Sequence, residues 1–211
     1  TEKEEINNYL FVSINILTKK PIIVWSIKMK IENITLIKYR IISKDELCVE
    51  LFNDFIRHQV VTKCWRKENS KWIIKDVPFI DDWTKDDYKI LVSCLKNTIN
   101  TGGLVYGAFY DNKLKGFVSV ESEIFDDEHQ YCDLSSIHIS EDMRGNGIGK
   151  KLFLEAKQWA KQRGAKKLYI SAHSSVESQA FYKAMGCVEA KVYNQKHVEA
   201  EPYDCQLECD L

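Results

Sequence analysis

The stretch Arg144-Gly-Asn-Gly-Ile-Gly-Lys-Lys151 decides how this chain is read. Before it, Leu134-Ser-Ser-Ile-His-Ile-Ser140 alternates and is rich in β-branched residues, the pattern of a strand. After it, Leu152, Phe153, Ala156, Trp159 and Ala160 fall at helical spacing, with Lys, Glu and Gln between them. Gly145, Gly147 and Gly149 therefore occupy a strand-to-helix junction. Glycine lets the backbone turn tightly and approach a ligand closely. The first turn of a helix offers free N–H groups and the positive end of its dipole, which suit a phosphate. Arg144, Lys150 and Lys151 add positive charge, so the junction reads as a pyrophosphate cradle.

Two common cradles are excluded by spacing. A dinucleotide fingerprint needs G-x-G-x-x-G, and counting from Gly145 the sixth position is Lys150. A P-loop ending at Gly149-Lys150 needs Gly at 144 and Ser or Thr at 151, where the chain has Arg144 and Lys151. The pattern present is Arg-x-x-Gly-x-Gly, made by Arg144, Gly147 and Gly149. With Ile137-His-Ile139 ahead of it, it resembles the acyl-CoA site of the GNAT N-acetyltransferase superfamily.

The rest of the chain sets bounds. Its 211 residues are 45% hydrophobic and 29% charged, as in a soluble globular protein, and the net charge of -1 gives no bulk attraction to nucleic acid or anionic membrane. Seven cysteines, an odd number without a C-x-x-C pair, imply neither a disulfide framework nor a zinc ribbon; reduced thiols in a cytoplasm are the simplest account. The histidines and cysteines show no metal-ligand spacing, so no metal is expected. Residues 1–34 form an unassigned N-terminal extension, whose apolar runs are too short to span a bilayer.

From residue 35 onward the patterns read as one domain. Thr35 to Ile42 is a strand, and Lys44 to about Cys64 has helical periodicity through Leu47, Leu51, Phe55 and Ile56. Thr84-Lys-Asp-Asp87 is a capping box that opens a helix ending near Gly102-Gly103. Leu104–Tyr110 and 114–125 are hairpin strands around Asp111-Asn-Lys113. After the cradle helix, 167–173 is a strand, Ser174-Ser-Val-Glu177 a second capping box, and 188–193 and 203–209 the last strands. The order β-α-α-β-β-β-α-β-α-β-β predicts an α/β (α+β) domain: a mixed, mainly antiparallel twisted sheet flanked by helices. That order is also the GNAT order, so the resemblance covers roughly residues 35–211. Phe181-Tyr182 and Met185-Gly186-Cys187 resemble the family's second helix segment, with Cys187 in place of Phe and Ser175 where Asn often stands.

The resemblance implies an enzyme, an acyltransferase that moves the acetyl group of acetyl-CoA onto an amine by direct attack. It assigns the co-substrate to Ile137, His138, Ile139, Arg144, Gly145, Asn146, Gly147, Ile148, Gly149, Lys150 and Ser175. It makes Tyr182 the acid that protonates the departing thiolate and points to Asp133 as the base; Glu121 and Glu123, which share a strand face by period two, are rival bases acting directly or through water. His138 reads as structural or pocket-lining. Acidic residues crowd two stretches, Asp76 to Asp87 and Glu121 to Glu128, and suggest an acidic half-pocket for a small cationic amine. The rivals are acetylation of protein or peptide N-termini and a non-catalytic acyl-CoA sensor. Expected partners are acetyl-CoA and the amine, with room for a homodimer.

Overall fold

In the computed structural model the described residues are 36–211, and the extension expected over 1–34 lies outside them. The central hairpin joins β4 (Leu104–Tyr110) to β5 (Lys113–Val120) through Asp111 and Asn112, whose φ values of 50° and 59° match the right-handed twist of the flanking strands. On the outer side of β4 lies β1 (Lys38–Ile41), and on the outer side of β5 lies β8 (Ser136–Ile139); all pairings are antiparallel. A second sheet contains β6 (Ile124–Phe125), β7 (Tyr131–Asp133), β9 (Lys167–Ala172), β10 (Val188–Glu189) and β11 (Cys205–Asp210) in the order β10-β11-β9-β7-β6. Among the described residues only β7 and β9 pair in parallel.

Alternating residues of the central hairpin feed two cores. Leu104, Val118 and Val120 pack with Leu152, Phe153 and Ala156 of α2 (Ile148–Gln162), whereas Val105, Phe109 and Phe117 pack with Leu91, Val92 and Leu95 of α1 (Lys85–Asn100). Each large side chain so buried contributes roughly 1.5–3 kcal/mol. The sheet thus lies between helices, and the expected mixed, mainly antiparallel architecture is what forms. The Thr84 capping box is present, with Asp87 N–H donating to Thr84 Oγ1 and Thr84 N–H donating to Asp87 Oδ2.

The two sheets share one chain segment and part from it. Glu121 N–H donates to Asp133 O, Leu134 N–H to Tyr169 O in the second sheet, and Ser135 N–H to Ser119 O in the first. Ser135 and Ser136 both stand opposite Ser119, a bulge that turns the strand away from β9. Beyond it β8 and the end of β9 diverge and leave a wedge. Ser140 N–H bonds Lys115 O, so by ladder alternation Ser136 and His138 turn their N–H groups to β5, while Ile137 and Ile139 turn theirs to the wedge.

The expected helix over 44–64 does not form. A 3-10 turn (Val49–Phe52) is followed by a long hairpin, β2 (His58–Glu68) and β3 (Lys71–Asp82), closed by Asn69 and Ser70 at φ 48° and 63°. Leu47, Phe52 and Phe55 are buried, but β2 is decided by a tertiary contact: Trp65 N–H donates to Ser174 O, and Cys64 bridges Ser175. This laces the hairpin over the wedge. The second helix cap is also shifted by one residue: Ser175, not Ser174, accepts from Ser178 N–H at the start of α3 (Val176–Ala184), because Ser174 is held by Arg66 and Trp65. A short helix, α4 (Gln195–Ala200), capped by Asn194, lies where only strand and loop were expected. No helix among the described residues is long and apolar enough to cross a membrane.

Candidate active site

The cradle is built from the residues the sequence singles out. Gly145 and Gly147 have φ of 80° and 76°, and a Cβ on either would meet no atom within 4 Å. Their need for glycine is therefore the backbone conformation, and the space beside them is open to a ligand. Lys151 N–H makes the bond to Gly147 O that begins α2, so the N–H groups of 145–150 precede the helix ladder. Gly149 has a different cause: its missing Cβ would lie 3.2 Å from Ile139 and Phe181. Gly116, across the sheet, does the same for the helix itself, since a Cβ there would come to 2.8 Å from Ile148 Cγ2.

The cradle loop is anchored from below. Lys115, 7% exposed, extends Nζ to Asp142 Oδ2 at 2.7 Å and to Asp54 O at 2.6 Å. Ser140 donates to Asp142 and accepts from Ile56 N–H. Asn146 Nδ2 braces the loop through Met143 O and Arg144 O. Arg144 donates to His58 O at 2.6 Å, so its side chain ties the cradle to β2.

A cavity of about 950 Å³ runs from the cradle along the wedge. Ile137, His138, Ile139, Arg144, Gly145, Gly147, Ile148, Gly149, Lys150 and Tyr182 all line it, so ten of the expected site residues converge. Asn146 does not line it, and Ser175 is fully buried as a helix cap, also accepting from Gln59. Tyr182 sits on α3 beside Phe181 with ring centroids 5.2 Å apart. Burial, then the nearby Cys187 and Asp204, push its phenol above the usual tyrosine value, which keeps the proton on the oxygen. Burial, reinforced by Arg57 and Arg144, holds the His138 imidazole down at about 3, so it is neutral; its ring meets Trp83 edge-on at 4.6 Å.

The expected carboxylates stand elsewhere. Asp133 does not line the cavity; its Oδ2 meets His197 Nε2 of α4 at 2.8 Å. Glu121 accepts from Thr98 and from Ser135, at 2.7 and 2.8 Å, and reaches the cavity wall only through the Ser135 hydroxyl. The strand β5 ends at Val120, so Glu121 and Glu123 do not share a strand face. The expected acidic half-pocket is not formed by its proposed residues: Asp81 pairs with Arg57, Asp82 with His58, Asp86 with Lys89, and Asp126 with His129. Those carboxylates are already paired with neighbours on the same surface.

Three other carboxylates line the cavity, Glu177 on α3 and Glu201 and Asp204 after α4. Burial first, then the charge of Glu201, lifts Asp204 to about 6. His173 lies on the same wall and is held below its usual value by burial. The roof comes from Gln59 and Val60 of β2 and from Arg57 and Trp83, which flank the hairpin just before β2 and just after β3. No motif marks these residues, since they come from four separate segments. The helix α4 alone had a legible signal, Asn194 ahead of Gln-Lys-His-Val-Glu-Ala. Among the described residues no group of three metal-ligating side chains occurs.

The fold and cradle define an acyl-CoA-handling transferase. The family model described as Acetyltransferase (GNAT) family matches residues 63–187, more than half of the chain, and the chain belongs to that family. It is an acyltransferase that works with acetyl-CoA. Among solved structures, a putative streptothricin acetyltransferase from Bacillus anthracis, in complex with acetyl coenzyme A, is similar at 16% identity and TM-score 0.63, over 83% of this chain and 99% of that one. A nourseothricin acetyltransferase is similar at 17% identity and TM-score 0.58, over 82% and 95%. The paia N-acetyltransferase of Thermoplasma acidophilum, with coenzyme A, is similar at 17% and 0.53, over 83% and 99%. At these identities the likeness is one of fold. Among curated proteins no relative matches the sequence.

Proposed function

We propose that this chain transfers the acetyl group of acetyl-CoA to the primary amine of a small cationic acceptor. The observation that carries the reading is one continuous cavity, with the cradle and its cations at one end and Glu177, Glu201 and Asp204 on the lining. The pyrophosphate sits over the N–H groups of 145–150, and the pantetheine amides pair with the wedge-facing edge of Ile137 and Ile139 as an added strand would. One of those N–H groups faces the carbonyl oxygen as it gains charge. Tyr182 gives its proton to the sulfur that leaves. The hairpin laced over the wedge favours a small acceptor over an extended peptide.

The test is thiol release from acetyl-CoA with streptothricin, kanamycin, spermidine, lysine, a neutral amine and a peptide. Cationic amines are expected to react fastest, with KM rising with salt, since partly exposed charges are screened over about 8–10 Å. A preference for the peptide or the neutral amine overturns the reading, as does the absence of turnover with every amine.

A further inference from the structure

We propose that Asp204, and neither Asp133 nor Glu121, is the base that takes the proton from the acceptor's ammonium. The inference rests on the function proposed above and names a catalytic group within it. Four observations converge on this residue. Asp204 lines the same cavity as Tyr182, and its charge is close enough to push the Tyr182 phenol up. It stands beside Ser171, on the end of β9 that the bulge has left without a neighbour on the wedge side. Asp133 and Glu121 are committed to His197 and to Thr98 and Ser135 and do not line the cavity. Asp204 is also the lining carboxylate lifted to about 6, which matches a base working near neutral pH.

The surroundings supply the means of tuning. The groups that face Asp204 are Glu201 and His197 from α4 and its exit, Arg66 from β2, Ser171 from β9 and Tyr182 from α3. Asp204 N–H donates to Glu201 O at 3.0 Å, which closes the turn and keeps the two carboxylates adjacent. Asp133 holds His197, and the charges of His197 and Asp204 act on one another.

The step balances. The ammonium gives one proton to the Asp204 carboxylate and becomes a neutral amine. The amine nitrogen forms a bond to the thioester carbon, and the carbon–sulfur bond breaks with its electron pair going to sulfur. Tyr182 protonates that thiolate and recovers a proton from the amide nitrogen. The proton held by Asp204 leaves to solvent.

The experiment takes the fastest amine of the panel above and follows kcat/KM from pH 5 to 9 for wild type, Asp204→Asn, Asp204→Glu and Asp133→Asn, with CoA affinity measured alongside by calorimetry. Asp204→Asn is expected to lose about 100- to 10,000-fold and the limb that rises through about pH 6. Its CoA affinity should be unchanged. Hydroxylamine, an amine already neutral at pH 7, should suffer less from the substitution than the cationic amine does. A rate for Asp204→Asn within about threefold of wild type, or a rising limb that stays in place, overturns the assignment while leaving the proposed function standing. Turnover with no amine removes both. Should Asp204→Asn not fold, the Asp204→Glu profile decides: a limb that moves supports the base, and a limb that does not move overturns it.

Discussion

His197 Nε2 and Asp133 Oδ2 lie 2.8 Å apart, joining α4 to the point where the two sheets part. The hydrogen bond to Asp133 is the largest cause raising the His197 imidazole above its usual value, and burial opposes it. A base whose folded value is raised lends stability that is full below the unfolded value of about 6.5 and is lost as pH rises through the folded value. Melting temperature is therefore expected to fall as pH rises above about 6.5, and His197→Gln should flatten that slope. Scanning calorimetry at several pH values checks it. Asp204 acts in a separate window, from about 4 to 6, where its raised value also makes stability fall with pH.

Gly147→Glu places a carboxylate in the open space beside the cradle, on a backbone at φ 76° that disfavours any side chain. Loss of CoA binding is expected, measured by titration calorimetry. Retained wild-type affinity would remove the anion from this loop.

Tyr182→Phe keeps the ring contacts with Phe153 and Phe181 and deletes only the hydroxyl. Turnover should fall about 100- to 10,000-fold with CoA affinity unchanged. An unaltered turnover would return Tyr182 to a packing role.

Lys115→Met removes the cation that holds Asp142 and Asp54 O beneath the cradle. A loss of about 1.5–3 kcal/mol is expected, the range for a hydrogen bond to a charged group. Denaturant unfolding measures it, and CoA affinity should weaken together with stability because a second 3-10 turn, Glu141–Met143, which leads into the cradle, loses its anchor.

The part of the site legible in sequence is the part made from neighbouring residues. The strand, the glycines and the first turn of α2 occupy 136–150, so their spacing alone carries the geometry. Asp204 and Glu201 enter the cavity because α4 turns the chain back before β11, and nothing local marks that return. The 44–64 segment misled for a different reason. Leu47, Leu51, Phe55 and Ile56 repeat at helical spacing, and only docking on Ser174 and Ser175 selects the strand from His58 onward. Asp133 ends β7 in the second sheet rather than continuing the strand of Ile137 and Ile139, and its partner lies on α4, a helix that no local pattern announces beyond its Asn194 cap.

Gly116 is not itself part of the cavity lining, and its side of the sheet is the one covered by α2. The missing methyl lets Ile148 settle onto β5, with Leu152 Cδ1 the next nearest atom at 3.1 Å. A strand position thirty residues upstream thus acts as the shim under the anion seat. An added methyl would lift the first turn of α2 by tenths of an ångström and tilt its N–H groups before it disturbed any other contact of the sheet. Grip on the co-substrate is therefore adjustable from behind, independently of the carboxylates on the cavity lining.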